Sequence, residues 1–374
     1  MIIKNGNVFQ EDGSYKVTDL YIENGRLVAS EEEVTDKTEL DASGLKVLPG
    51  LVDIHSHGAV RHDFSDADVD GLKVILQYER SQGVTSYCPT SMTLPKEELL
   101  KIFQTAKDVD QDETCARIVG INMEGPFISP IKKGAQDERN IIPCNEEIAQ
   151  RFLDASDHLV KFLGIAPEES ANAASFIKNM KDKVNISLAH TNASYETAKE
   201  ALEAGANHVV HLFNAMTGFT HREPGVVGAA SDNERAMSEI ICDGVHIHPS
   251  MIRAAFKMMS AERMIFISDS MRATGMPDGQ YTLGGLDVKV TGNRATLVSD
   301  GALAGSVTNL ADCMRTAVTQ MGIPLETAVA CATKNPAISL GIYEERGSIS
   351  IGKKADILLL DQNLTLKKVI KSGR

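Results

Sequence analysis

The chain has 374 residues, 43% hydrophobic and 24% charged, with a net charge of −13. At roughly 100–200 residues per domain this allows two or three domains, or one large α/β barrel with an appendage, and a core that needs no staples. The acidic balance argues against nucleic acid or an anionic membrane as the main partner, although a local basic patch suffices for a small anionic ligand. The six cysteines, at 88, 115, 144, 242, 313 and 331, are scattered and form no C-x-x-C pair, which points to reduced thiols and a cytoplasmic protein. The opening MIIKNGNVFQEDG lacks an apolar h-region and predicts no signal peptide, and no apolar run of about 20 residues predicts a membrane span.

In chain order, residues 1–50 read as short apolar pieces (MIIKNGNVF, TDLYIENGRLVA, LKVLPG) split by Asn-Gly turns. The C-terminal GSISIGKKADILLLDQNLTLKKVIKSGR has the same character. Neither end can bury a core alone. They are expected to pair into one small β-sandwich domain, residues 1–50 with 341–374.

Residues 51–340 behave differently. Eight strand-like runs recur at 51–57, 84–90, 117–124, 160–166, 185–191, 208–214, 238–243 and 264–269. Between them lie segments with helical apolar spacing, such as ADVDGLKVILQYERSQG, EEIAQRFLDASDHL, SYETAKEALEAGA and PSMIRAAFKMMSAER. Several end in Gly or carry Ser or Pro near the start, as helix caps do. This alternation predicts a (β/α)8 TIM-like barrel. An open doubly wound sheet would show a Gly-rich loop after its first strand, where this chain has H-S-H-G. Residues 279–305 break the rhythm and read as a β excursion near the barrel mouth.

Metal-type residues collect at the ends of these runs. The first ends in His55 and His57, which a strand points to one face. Glu124 follows in MEGPF, His190 in LAHT, His211 in VVHLFNAM, Asp243, His246 and His248 in CDGVHIH, and Asp269 in ISDS. A single strand histidine is more often a packed, hydrogen-bonded residue. Five independent strand ends supplying ligand types, those of His55 and His57, Glu124, His190, His211 and Asp269, on the face where barrels build their sites, reverse that weighting. Nitrogen and oxygen donors suit Zn, Fe, Mn or Co, and no thiolate cluster suggests a structural zinc. His62, His158 and His208 read as packing or surface residues. His246 and His248 form a second H-x-H that competes with the first. Asp53 reads as a residue that orients a histidine or caps its strand.

The chain resembles the amidohydrolase superfamily. LPGLVDIHSHG is similar to its first-strand signature, and the flanking IKNGNVF and NPAISLGIYEERGSISIGKKADILLLD resemble the small sheet domain that brackets its barrel. Within it, MEGPFISPIKKGA, LAHTNA, HLFNAMTGFTHREPG, CDGVHIHP and ISDSMRATG resemble the branch that deacetylates amino-sugar phosphates. The resemblance implies hydrolysis of the acetamide of N-acetylglucosamine 6-phosphate by a metal-activated water. The alternatives are a related enzyme acting on N-acetylgalactosamine 6-phosphate or a cyclic amide, and an inactive barrel serving as a binding protein. It implies Glu124, His190 and His211 as metal ligands, with His55 and His57 for a second ion, so one or two divalent metals per chain. It implies Asp269 as acid/base and substrate contacts from Gln136, Asn214, Ala215, Arg222 and His246. It also implies a homodimer in which the Arg222 loop reaches the neighbour's site. Gln136 stands where some members place a histidine that polarises the acetyl carbonyl, which leaves that role between Gln136 and the metal.

Overall fold

Buried apolar runs bounded by short polar segments set the architecture. The computed structural model describes residues 1–374. Eight strands, Leu51–Ser56, Val84–Ser91, Ile121–Phe127, Val160–Ile165, Asn185–Leu188, His208–Val209, Met237–Ile241 and Met264–Ile267, pair in chain order. Every ladder between successive strands is parallel. Past the last strand, Asp269 N donates to His55 O (2.9 Å) and His57 N to Ser270 O (2.8 Å), which draws the ring nearly closed. The strands are buried along almost their whole length, as a parallel sheet covered by helices must be.

The covering helices are amphipathic and capped. Val69–Ser81 buries Leu72, Ile75 and Leu76, and its start is fixed by the Asp68 carboxylate accepting from Asp70 N. Asn145, Ser194 and Asn309 cap their helices in the same way, each stabilising its helix by about 1 kcal/mol. Neighbouring helices interlock through aromatic edges, as at Phe103 and Phe152, whose ring centres lie 5.9 Å apart.

Several strands stop sooner than the apolar pattern predicts. The sixth ends at Val209, because the backbone enters the left-handed region at His211 (φ 26°), Phe213 (φ 75°) and Ala215 (φ 49°). His190 (φ 44°) and Asp269 (φ 48°) do the same past the fifth and eighth strands. Such conformations cost energy for residues other than glycine and concentrate at functional sites. The run 117–124 divides into Arg117–Ile118 and the third barrel strand. Between them Gly120 leaves room for Lys161, whose Cγ would lie 2.5 Å from an added Cβ.

Strands from both ends, Ile2–Phe9, Tyr15–Glu23, Arg26–Val28, Glu39–Asp41, Lys46–Pro49, Ile357–Leu360 and Leu366–Ile370, form one seven-stranded sheet around Ile3, Val8, Ile22, Val47, Ile357 and Ile370. Asn24 and Gly25 make the expected tight hairpin turn, both with positive φ. Asn5–Gly6 does not turn the chain. It lies within Ile2–Phe9 at a register irregularity, and a Cβ on Gly6 would lie 2.5 Å from Val47 Cγ2. The excursion is a three-stranded antiparallel sheet, Gly279–Leu283, Leu286–Thr291 and Arg294–Leu297. Its apolar face packs with Met92, Ala135 and Met271 at the barrel mouth. No helix is long and apolar enough to cross a membrane.

Candidate metal centre

Period-two geometry sends His55 and His57 inward together, and the left-handed turns swing His190, His211 and Asp269 toward them. Glu124 stands in the middle. Its Oε1 lies 2.8 Å from His211 Nε2, 3.0 Å from His190 Nε2 and 3.4 Å from His55 Nε2, and its Oε2 lies 3.3 Å from His57 Nε2. Asp269 Oδ1 lies 3.6 Å from His55 Nε2 and 3.4 Å from His57 Nε2. The six residues are buried and form two triads, His55–His57–Asp269 and Glu124–His190–His211. Within each triad the donor atoms lie within 4.8 Å of one another. From sequence Asp269 is one of the metal-type strand-end residues, and the resemblance implies an acid/base role for it; the geometry groups it with His55 and His57.

Each imidazole is oriented from behind. Nδ1 of His57 meets Thr90 O (3.2 Å), Nδ1 of His190 meets Lys132 O (2.8 Å), and Nδ1 of His211 meets Asn214 O (3.1 Å). Nδ1 of His55 meets the Glu239 carboxylate at 2.8 Å. None of these acceptors carries a proton, so each Nδ1 donates and each Nε2 is left to face the centre. His55 Nε2 has no hydrogen-bond partner despite complete burial. Four inward nitrogens, two carboxylates and that orphan atom fit divalent cations with borderline or hard preferences.

Electrostatics agree. Burial opposes charge on Glu124, yet His190 and His55 beside it hold its carboxyl well below the usual range. Burial likewise opposes a charged His57, but its contacts with Asp269 and Glu124 raise it to about 10. Burial lifts Asp53 to about 6; its Oδ1 accepts from the backbone N of His55 (3.2 Å), so it fixes the strand end rather than an imidazole. Chelator-treated protein is therefore expected to hold histidine protons at neutral pH. The raised His57 value contributes stability in full below its unfolded value of about 6.5 and loses it as pH rises through about 10. Reloading at pH 7 with a divalent cation should release protons, read as a buffer-dependent heat of titration. A heat independent of the buffer would contradict this assignment.

A cavity of about 380 Å³ opens over the centre. Gln136, Asn214, Ala215 and His246 line it, with Leu283, Ala302 and Leu303 of the excursion forming a wall. Gln136 does not turn its amide free to the cavity: Nε2 donates to Glu124 Oε2 (2.7 Å) and Oε1 accepts from Thr93 N (2.6 Å). His246 is held by Asp243 Oδ2 at 2.7 Å, while His248 caps Pro249–Met259, accepting from Ser250 N. That separates the two members of the second H-x-H. Arg222 is exposed and does not line this cavity. Sequence reading missed Lys132, the one Lys or Arg in the lining, and Glu239, a single charge inside the apolar run MSEII. A lone acid in a buried parallel strand is a usable signal, because such a charge needs partners.

The chain belongs to the amidohydrolase family, whose profile matches residues 46–374. It is 34% identical over 367 residues to N-acetylglucosamine-6-phosphate deacetylase of Bacillus subtilis (strain 168), covering 97% of this chain and 90% of that one. It is 32% identical over 375 residues to N-acetylgalactosamine-6-phosphate deacetylase of Escherichia coli O157:H7, covering 100% and 98%. Among solved structures it is similar to a mutant N-acetyl-D-glucosamine-6-phosphate deacetylase from Mycobacterium smegmatis in complex with N-acetyl-D-glucosamine-6-phosphate. The TM-score is 0.91 at 31% identity, with 100% of this chain and 98% of that one covered.

Proposed function

We propose that the chain is an N-acetylglucosamine-6-phosphate deacetylase, releasing acetate and glucosamine 6-phosphate. The observation that carries this reading is the pair of donor triads at the floor of a sugar-sized cavity. Glu124, His190 and His211 would hold one divalent ion, and His55, His57 and Asp269 would hold a second. A cation bound there supplies Lewis acidity and lowers the pKa of a water toward 7.

The chain's own groups do the rest. Asp269 takes the proton of the attacking water and returns it to the departing amine. Burial opposes its charged form, but His57 and His55 keep its carboxyl below the ordinary range, so it is ionised and ready to accept. Gln136 holds Glu124 in place, and with both amide ends committed it is not free to polarise the acetyl carbonyl. His246, oriented by Asp243, and the Asn214–Ala215 segment contact the sugar. The phosphate end is met by Lys132 and, in a homodimer, by Arg222 of the neighbouring copy. The exposure of Arg222 and of Phe219 on the same loop supports that arrangement. Guanidinium suits phosphate because it offers paired donors. The six buried, unpaired thiols support a cytoplasmic setting.

Acetate release should be fastest with N-acetylglucosamine 6-phosphate, slower with its galactosamine epimer, and much slower with the unphosphorylated sugar. Faster turnover of the epimer would select the second reading, which rests on the galactosamine relative. Arg222→Ala is expected to raise KM for the phosphorylated sugar about 10- to 100-fold with kcat little changed, as loss of a charge-assisted contact worth about 1.5–3 kcal/mol requires. An unchanged preference for phosphorylated over plain sugar would remove Arg222 from that role.

A further inference from the structure

Three of the four inward histidines are oriented by neutral backbone carbonyls, and only His55 leans on a charge. That charge is Glu239, on the seventh barrel strand and fully buried. Its Oε2 accepts from His55 Nδ1 (2.8 Å) and from the backbone N of His211 (3.2 Å). Its Oε1 accepts from His208 Nε2 (2.9 Å), and its backbone O accepts from Leu212 N (2.8 Å). One residue thus grips a donor of each triad: the ring of His55 in the first, and the left-handed backbone at His211 in the second.

We propose that Glu239 is the positioning residue for the metal centre, locking His55 with its proton on Nδ1 and making its Nε2 the most electron-rich of the four histidine donors. The inference rests on the metal-dependent reading above and deepens it. A buried carboxylate is costly unless several donors converge on it. Here three do, so the anion persists and polarises the imidazole it faces. A carbonyl would orient that ring equally well; the charge adds basicity at the opposite nitrogen. The effect falls on the ion held by His55, His57 and Asp269, while the Glu124–His190–His211 ion keeps its carbonyl-oriented ligands. His208, which reads from sequence as a packing residue, supplies the donor that satisfies the second oxygen of Glu239.

The test is Zn2+ titration of chelator-stripped protein, by calorimetry with elemental analysis of the loaded product, on wild type, Glu239→Gln and His208→Gln. Glu239→Gln removes the charge at constant shape. It is expected to weaken one of the two binding events about 10- to 100-fold and to spare the other. His208→Gln keeps the charge and offers Oε1 an amide donor, so both events should stay at wild-type affinity. Equal weakening in both variants would mean a purely structural cluster and would overturn the proposal, as would unaltered zinc binding by Glu239→Gln. Should Glu239→Gln fail to fold, 15N-histidine spectra of zinc-loaded wild type decide. The expected result is His55 protonated on Nδ1, and the opposite tautomer overturns the lock. Acetate release by wild type is scored separately, so failure of the enzymatic reading is distinguishable from failure of this one.

Discussion

Asp269→Asn is expected to lower kcat about 10^2- to 10^4-fold, the range for losing a positioned general acid and base. The amide keeps the shape but can neither take the water's proton nor pass one to the leaving amine. Because that transfer belongs to the transition state, kcat and kcat/KM should fall together. The Glu124–His190–His211 ion should remain, since Asp269 is not among its donors. The ion beside His55 and His57 should weaken, since Asn replaces a charged donor with a neutral one. Steady-state kinetics with metal analysis on the same preparation checks both halves. Substantial turnover would take the acid/base role away from Asp269.

Glu124→Gln should be still more damaging. This carboxylate faces all four Nε2 atoms at 2.8–3.4 Å, so both triads depend on its charge. Its loss should leave less than one bound ion per chain. Turnover should then fall by more than about 10^4-fold, because a water's pKa is no longer brought from 15.7 toward 7. Removing one charge from a buried ionic cluster also strands the rest, at about 3–5 kcal/mol. Chelator-treated Glu124→Gln should therefore melt below chelator-treated wild type. Unchanged metal content would contradict the placement of Glu124 at the heart of the centre.

The barrel is legible in the sequence because eight buried strands alternate with capped amphipathic segments, and both periodicities are local. So is the inward pairing of His55 and His57, which follows from the two-residue repeat of a strand. The early strand ends at Val209 and Leu188 are less legible. There the chain turns left-handed at His211 and His190, a conformation imposed by tertiary hydrogen bonds such as Leu212 N to Glu239 O. The Asn5–Gly6 pair shows the same limit, since a bulge and a turn share one dipeptide. Glu239 escaped attention because its principal partner, His55, is 184 residues away in the chain. His208 reads as a strand-start packing residue, and it does stay out of the centre. What sequence cannot supply is its bond to Glu239, made across neighbouring strands. Lys132 sits in a short 3-10 turn, Pro130–Lys132, with no periodic signal. Only the folded loop brings it to the cavity.

The most direct test of the two-triad centre is metal content per chain, by elemental analysis of protein purified without chelator. About two equivalents of divalent metal are expected, one for each triad. One equivalent or fewer would contradict the two-triad centre.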